Sequence, residues 1–189
     1  MTGEQGERSL SHVSTTPASA LGHVTALIRH FDGLRDGTHG GSFNREDKEA
    51  HFAQEVALLA PVARQALDEI NSHLLLDTGR VVALGLQREA HGGLRESWEL
   101  AWPEQKSARI GPVTLLAYYG VGFHHPHLRG ATVGDWPLNV FTAHDAADQL
   151  TVLRAIATAE LHNLVFQADY RIIPAVMRPP SEPQHLHPA

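Results

Sequence analysis

Three of the chain's 14 histidines fall within four residues, at His124, His125 and His127. They lie in the stretch Phe123-His124-His125-Pro126-His127-Leu128-Arg129-Gly130. On an extended chain, residues two apart face the same side, so His125 and His127 are expected to converge, with Pro126 stiffening the backbone between them. Two converging imidazoles can hold a divalent metal such as zinc, iron or nickel, with a further ligand from elsewhere. Arg129 suits an anionic group or a carboxylate. His125, His127 and Arg129 are therefore candidate catalytic residues, and His124, His125 and His127 candidate metal ligands. The competing reading makes them ordinary loop histidines bonded to carbonyls or water.

A second cluster, Glu160-Leu161-His162-Asn163, supplies Glu160 and His162 as further candidate ligands. On an ideal helix these two are about 200° apart, so only one of them can reach a site at the strand ends. In the plainer reading, Glu160 pairs with Arg154 or Arg171, and His162 packs or caps. The remaining histidines carry less weight. His23 and His30 share a helix face, His39 sits in a glycine loop, His91 adjoins a glycine turn, and His185 and His187 lie in a proline-rich tail.

His125-Pro126-His127, followed by Gly130 and then Trp136-Pro137, resembles the end of histidine-triad nucleotide hydrolases and transferases. That resemblance implies attack on phosphorus by the middle histidine, which is His125. The sequence departs from the pattern at position 123, where the earlier triad histidine is expected and Phe123 stands. No H-E-x-x-H, P-loop, G-x-G-x-x-G or G-x-S-x-G motif is present.

The elements that must position these residues follow from periodicity. Thr16-Pro17 suits a helix start, after which Leu21, Val24, Ile28 and Phe31 recur at helical spacing. Asn44 with Asp47 resembles an N-terminal cap. Phe52, Val56, Leu59, Ala63, Leu67 and Ile70 then mark a buried helical face, with Pro61 expected to kink or split the helix. The two helices are expected to form a hairpin. From residue 81 the period changes to two. Val82, Leu84 and Leu86 alternate with their neighbours, Ala90-His91-Gly92-Gly93 suits a turn, and Leu94, Trp98, Leu100 and Trp102 share one strand face. Val113–Tyr119 reads as a central strand, and residues 138–141 as a short one. Thr142 with Asp145 is a capping signature before a helix burying Leu150, Leu153, Ala157, Leu161 and Leu164. Residues 170–176 suit a last strand, limited by Pro174.

The expected fold is α+β, with an antiparallel or mixed sheet of about four to five strands. An N-terminal helical hairpin and a C-terminal helix should pack on it. Residues 1–16 are expected to be a disordered arm, 17–177 one domain, and 178–189 a disordered proline-rich tail. A chain of 189 residues can bury a sufficient core without staples. The absence of cysteine excludes disulfides, thiolate metal sites and cysteine nucleophiles. The formal charge is −6, with 13 Arg and 2 Lys in no basic run, which disfavours nucleic acid as a partner. No long apolar run or signal peptide is visible, so no membrane association and a cytoplasmic location are expected. Function is expected to be metal binding or histidine-dependent catalysis on a small molecule. The alternative is a non-enzymatic accessory or assembly protein, whose partner would be another protein.

Overall fold

A computed structural model describes residues 22–178. The expected N-terminal arm, the Thr16-Pro17 helix start, Leu21, His185, His187 and all but the first residue of the proline-rich tail lie outside the described residues. The fold is α+β: helices packed on an open, wholly antiparallel sheet. The elements run α1 (Gly22–Asp36), α2 (Arg45–Leu74), β1 (Arg80–Ala83), β2 (Gln87–Arg88), β3 (Leu94–Ala101), α3 (Pro103–Ser107) and β4 (Val113–Tyr119). Then follow β5 (His127–Gly130), β6 (Trp136–Pro137), α4 (Ala143–Asp148), α5 (Leu150–Gln167), a 3-10 turn (Tyr170–Ile172) and α6 (Pro174–Met177). The strand order is β1-β3-β4-β5-β6, with β2 also paired to β3.

The pillar of the fold is α2. Asn44 caps it, its side-chain oxygen accepting from the Asp47 amide at 2.9 Å. Phe52, Val56, Leu59, Ala63, Leu67 and Ile70 are all buried, as their spacing predicts. The expected break at Pro61 does not occur, and α2 runs unbroken for 30 residues. Pro61 removes one helical donor, the one that would serve the Ala57 carbonyl. Both residues are on the exposed side, so water can serve that carbonyl while Leu59 and Ala63 stay packed beneath.

α2 packs on β1, β3 and β4, and α5 on β4 and β5, with the two helices side by side on one sheet face. Leu94, Trp98, Leu100 and Trp102 face this core. The β2–β3 hairpin closes through the predicted glycine turn, where the Gly92 amide donates to Glu89. β1 buries only Val81. Val82, Leu84 and Leu86 stay about two-fifths exposed, and the strand breaks at Gly85, whose φ is +79°.

Five other expectations need correction. α1 does not bury its apolar stripe: Val24, Ile28 and Phe31 are 40%, 57% and 58% exposed, and among its described side chains the buried one is His30. Nor does it form a close hairpin with α2. It touches β6 and reaches α4 through the Arg29–Asp145 ion pair, leaving a cavity between the two helices. Residues 138–141 form no strand, although Leu138 and Val140 are fully buried. Their amides are served by the Pro126 carbonyl and by the Glu55 carboxylate instead of a ladder. Residues 170–176 are helical turns, because Asp169 caps the Arg171 amide and Pro174 opens α6 at a position that needs no donor. The Thr142–Asp145 box forms as predicted, but its helix is divided into α4 and α5 at Gln149.

Candidate functional site

The histidine segment leaves the sheet at the end of β4, and Arg45 from the first turn of α2 holds it there. The Arg45 guanidinium lies 3.6 Å above the Tyr119 ring and donates to the Tyr119 and Gly120 carbonyls, each at 3.0 Å. Glu49 braces Arg45 at 2.8 Å. The chain re-enters the sheet at His127, opposite Tyr118. Pro126 is pinned by the Leu138 amide. These anchors set the positions of His125 and His127.

Each converges on a histidine from another element. His30, from α1, lies 4.8 Å from His125 and 6.1 Å from His127 between ring centroids. His39, from the loop between α1 and α2, lies 5.4 Å from His125. His30, His39 and His125 are 7%, 2% and 2% exposed. Gly33 makes the close approach possible, since a Cβ there would fall 2.8 Å from His125 Cε1 and 2.9 Å from the Thr38 carbonyl oxygen.

His39 is held by Glu55. His39 Nε2 lies 3.0 Å from Glu55 Oε2, both side chains being buried, and the other Glu55 oxygen accepts from the Val140 amide at 3.0 Å. Five buried ring nitrogens in the cluster lack a well-aligned hydrogen bond: Nδ1 of His30, His39 and His127, and both nitrogens of His125. The Gly33 backbone approaches the His125 ring and the His125 backbone the His127 ring, so Nδ1 of His30 and of His39 are the least satisfied. His39 and His125 line a cavity of about 540 Å3 between α1 and α2, walled also by Arg29, His51, Glu55 and Phe141.

Burial dominates the electrostatics, because it penalises the charged imidazole. It pushes His39 down to about 4, assisted by the Lys48 charge. It pushes His125 down to about 4 as well, assisted by His30, His39 and Lys48. His30 and His127 are lowered by the same cause. Burial raises Glu55 well above the usual carboxylate range. At neutral pH the four rings are uncharged and can accept through a lone pair.

The sequence-predicted residues are divided by this geometry. His125 and His127 join the cluster, while His124 is exposed beside it. Arg129 lies 3.9 Å from Asp135 and near the Tyr118 ring. Along β5 side chains alternate, so His127 and Arg129 project away from α5, whereas Leu128 and Gly130 face it. Glu160 is fully buried on that other side, accepting from the Thr132 hydroxyl at 2.8 Å and the Thr132 amide. It packs directly on Gly130. His162 is exposed on α5. Neither Glu160 nor His162 meets the histidine cluster.

His30, His39 and Glu55 complete the cluster and were not candidates on sequence grounds. One signal was available for Glu55. It sits between Phe52, Val56 and Leu59 on the apolar stripe of α2, where a carboxylate needs a buried partner. As the side chains stand, no group of three or more His, Cys, Asp or Glu among the described residues is arranged to hold a metal ion. Among the same residues no helix is long and apolar enough to cross a membrane. Comparisons with protein-family models, curated proteins and solved structures give no match.

Proposed function

We propose that this chain binds a divalent transition metal such as zinc, iron or nickel through His30, His39 and His125, with His127 adjacent as a further donor. The observation that carries this reading is the set of five buried imidazole nitrogens without a well-aligned hydrogen bond, foremost Nδ1 of His30 and of His39. A buried polar atom without a partner costs about 1–3 kcal/mol, so a cluster of them calls for a missing partner. A cation accepted by several lone pairs at once is such a partner. Ring rotation is needed to aim the donors at one point, and that torsion is soft for histidine.

Protonation favours ligation over metal-free base catalysis. A general base works best with a pKa near the operating pH. His39 and His125, held at about 4, are weak bases at neutral pH but are in the uncharged form that ligates metal. Glu55 supports the same use. With His39 Nε2 donating to it, Nδ1 is left to bind, the arrangement in which a carboxylate orients a ligating histidine. A cation at His39 would favour the ionised carboxylate despite its burial. The adjoining cavity leaves room for water or a small molecule at an open coordination position.

The test is metal content after loading with zinc and desalting. One equivalent is expected in the wild type, with loss in the H39A/H125A variant and retention in H124A/H162A, whose residues are exposed. Equal zinc in wild type and H39A/H125A rejects the site. A metal-free wild type with His125-dependent turnover of a nucleoside phosphate derivative would favour histidine-triad-like chemistry instead. Absence of both metal and turnover would favour the accessory-protein reading.

A further inference from the structure

We propose that Ser42 is a nucleophile for acyl transfer from carboxylic esters, with His51 as its general base. The pair stands beside the histidine cavity and does not depend on the metal reading. Ser42 Oγ lies 3.1 Å from His51 Nε2, within the roughly 2.6–3.2 Å reach of a nucleophile and its base. In the tautomer protonated at Nδ1, Nε2 accepts the Ser42 hydroxyl. Ser42 and His51 are partly exposed, so a substrate can reach them.

The local backbone holds the pair in place. His39 and Ser42 exchange both backbone hydrogen bonds at 3.0 Å, closing a two-residue turn. Gly40 and Gly41 occupy the turn at φ +57° and +80°, the left-handed region that favours glycine. Gly40 also makes room for the base, since a Cβ there would lie 3.0 Å from His51 Cδ2. Both glycines border the cavity, and their amides donate no hydrogen bond among the described residues. Such amides are the donors that an oxyanion needs. The hydroxyl does not cap α2, because Asn44 does.

In the proposed step, Ser42 Oγ attacks the ester carbonyl carbon and its proton moves to His51 Nε2. The bond to the alkoxide breaks, and the alkoxide takes that proton from His51. Water then attacks the acyl-serine, passes its proton through His51 to the departing Ser42 oxygen, and releases the carboxylic acid.

The full chain, treated with a chelator so that the metal question is separate, is incubated with a fluorophosphonate and read by intact mass and peptide mapping. Ser42 displaces fluoride from phosphorus by the same attack. One adduct at Ser42 is expected, with none in S42A and labelling slowed roughly a hundredfold in H51Q. Thermal melts of both variants serve as the folding control. No adduct in the wild type, an adduct at another residue, or wild-type labelling in a folded H51Q overturns the proposal.

Discussion

His125 should make the metal-free protein acid-sensitive by a calculable amount. Its pKa is about 4 in the folded chain, against an ordinary histidine value near 6.5, because burial and the neighbouring His30, His39 and Lys48 oppose its charge. A base with a depressed folded pKa adds stability that is fully present above the unfolded value and is lost as pH falls towards the folded one. Protonation of the unfolded chain begins near 6.5, so by pH 5 the loss from His125 is about 2 kcal/mol, approaching about 3 kcal/mol below pH 4. His39 acts in the same sense. Glu55 acts in the opposite one, since its raised pKa makes the folded chain take up a proton first. The clean comparison is therefore wild type against H125Q. Urea unfolding, followed by fluorescence of the buried Trp98 and Trp102, is measured with a chelator at pH 7.5, 6 and 5. The wild type should lose about 2 kcal/mol more than H125Q between the first and last pH. Parallel profiles would show that His125 is not held neutral by its surroundings.

Two further outcomes follow from packing. Phe52→Ala and Leu59→Ala, both at fully buried positions of α2, should each cost roughly 2–5 kcal/mol in urea unfolding. A loss near zero for both would mean that α2 presents another face to the sheet. Gly33→Ala places a methyl against the His125 ring and the Thr38 carbonyl. Helix propensity alone would favour Ala by about 1 kcal/mol, so a net destabilisation with weakened zinc retention is the expected signature of the close approach. A stabilised variant with full zinc retention would show that the ring and loop move aside freely.

The sequence makes some elements legible and hides others for identifiable reasons. α2 is readable because one side stays buried from Lys48 to Ile70, so its apolar residues repeat at three and four. The same pattern misleads in α1, where the repeat at Val24, Ile28 and Phe31 faces outward and His30 faces inward. Pro61 misleads because its missing donor falls on the solvent side. Residues 138–141 mimic a strand because the run is short, largely apolar and buried at Leu138, Asn139 and Val140, yet side-chain and loop acceptors satisfy the backbone.

The site divides in the same way. His125 and His127 are visible as a local spacing, but their partners His30 and His39 come from distant segments that carry no such motif. Glu160 looks like a ligand because it stands beside His162 in one short stretch of sequence. Its partner is Thr132, on the side of the sheet away from His127.

X-ray absorption at the zinc edge of the loaded protein tests the central claim most directly. The account predicts a first shell of nitrogen or oxygen at about 2.0–2.1 Å, with outer-shell scattering from three or more imidazoles that is diminished in H125A. A protein that retains no zinc, or zinc with no imidazole scattering, would contradict it.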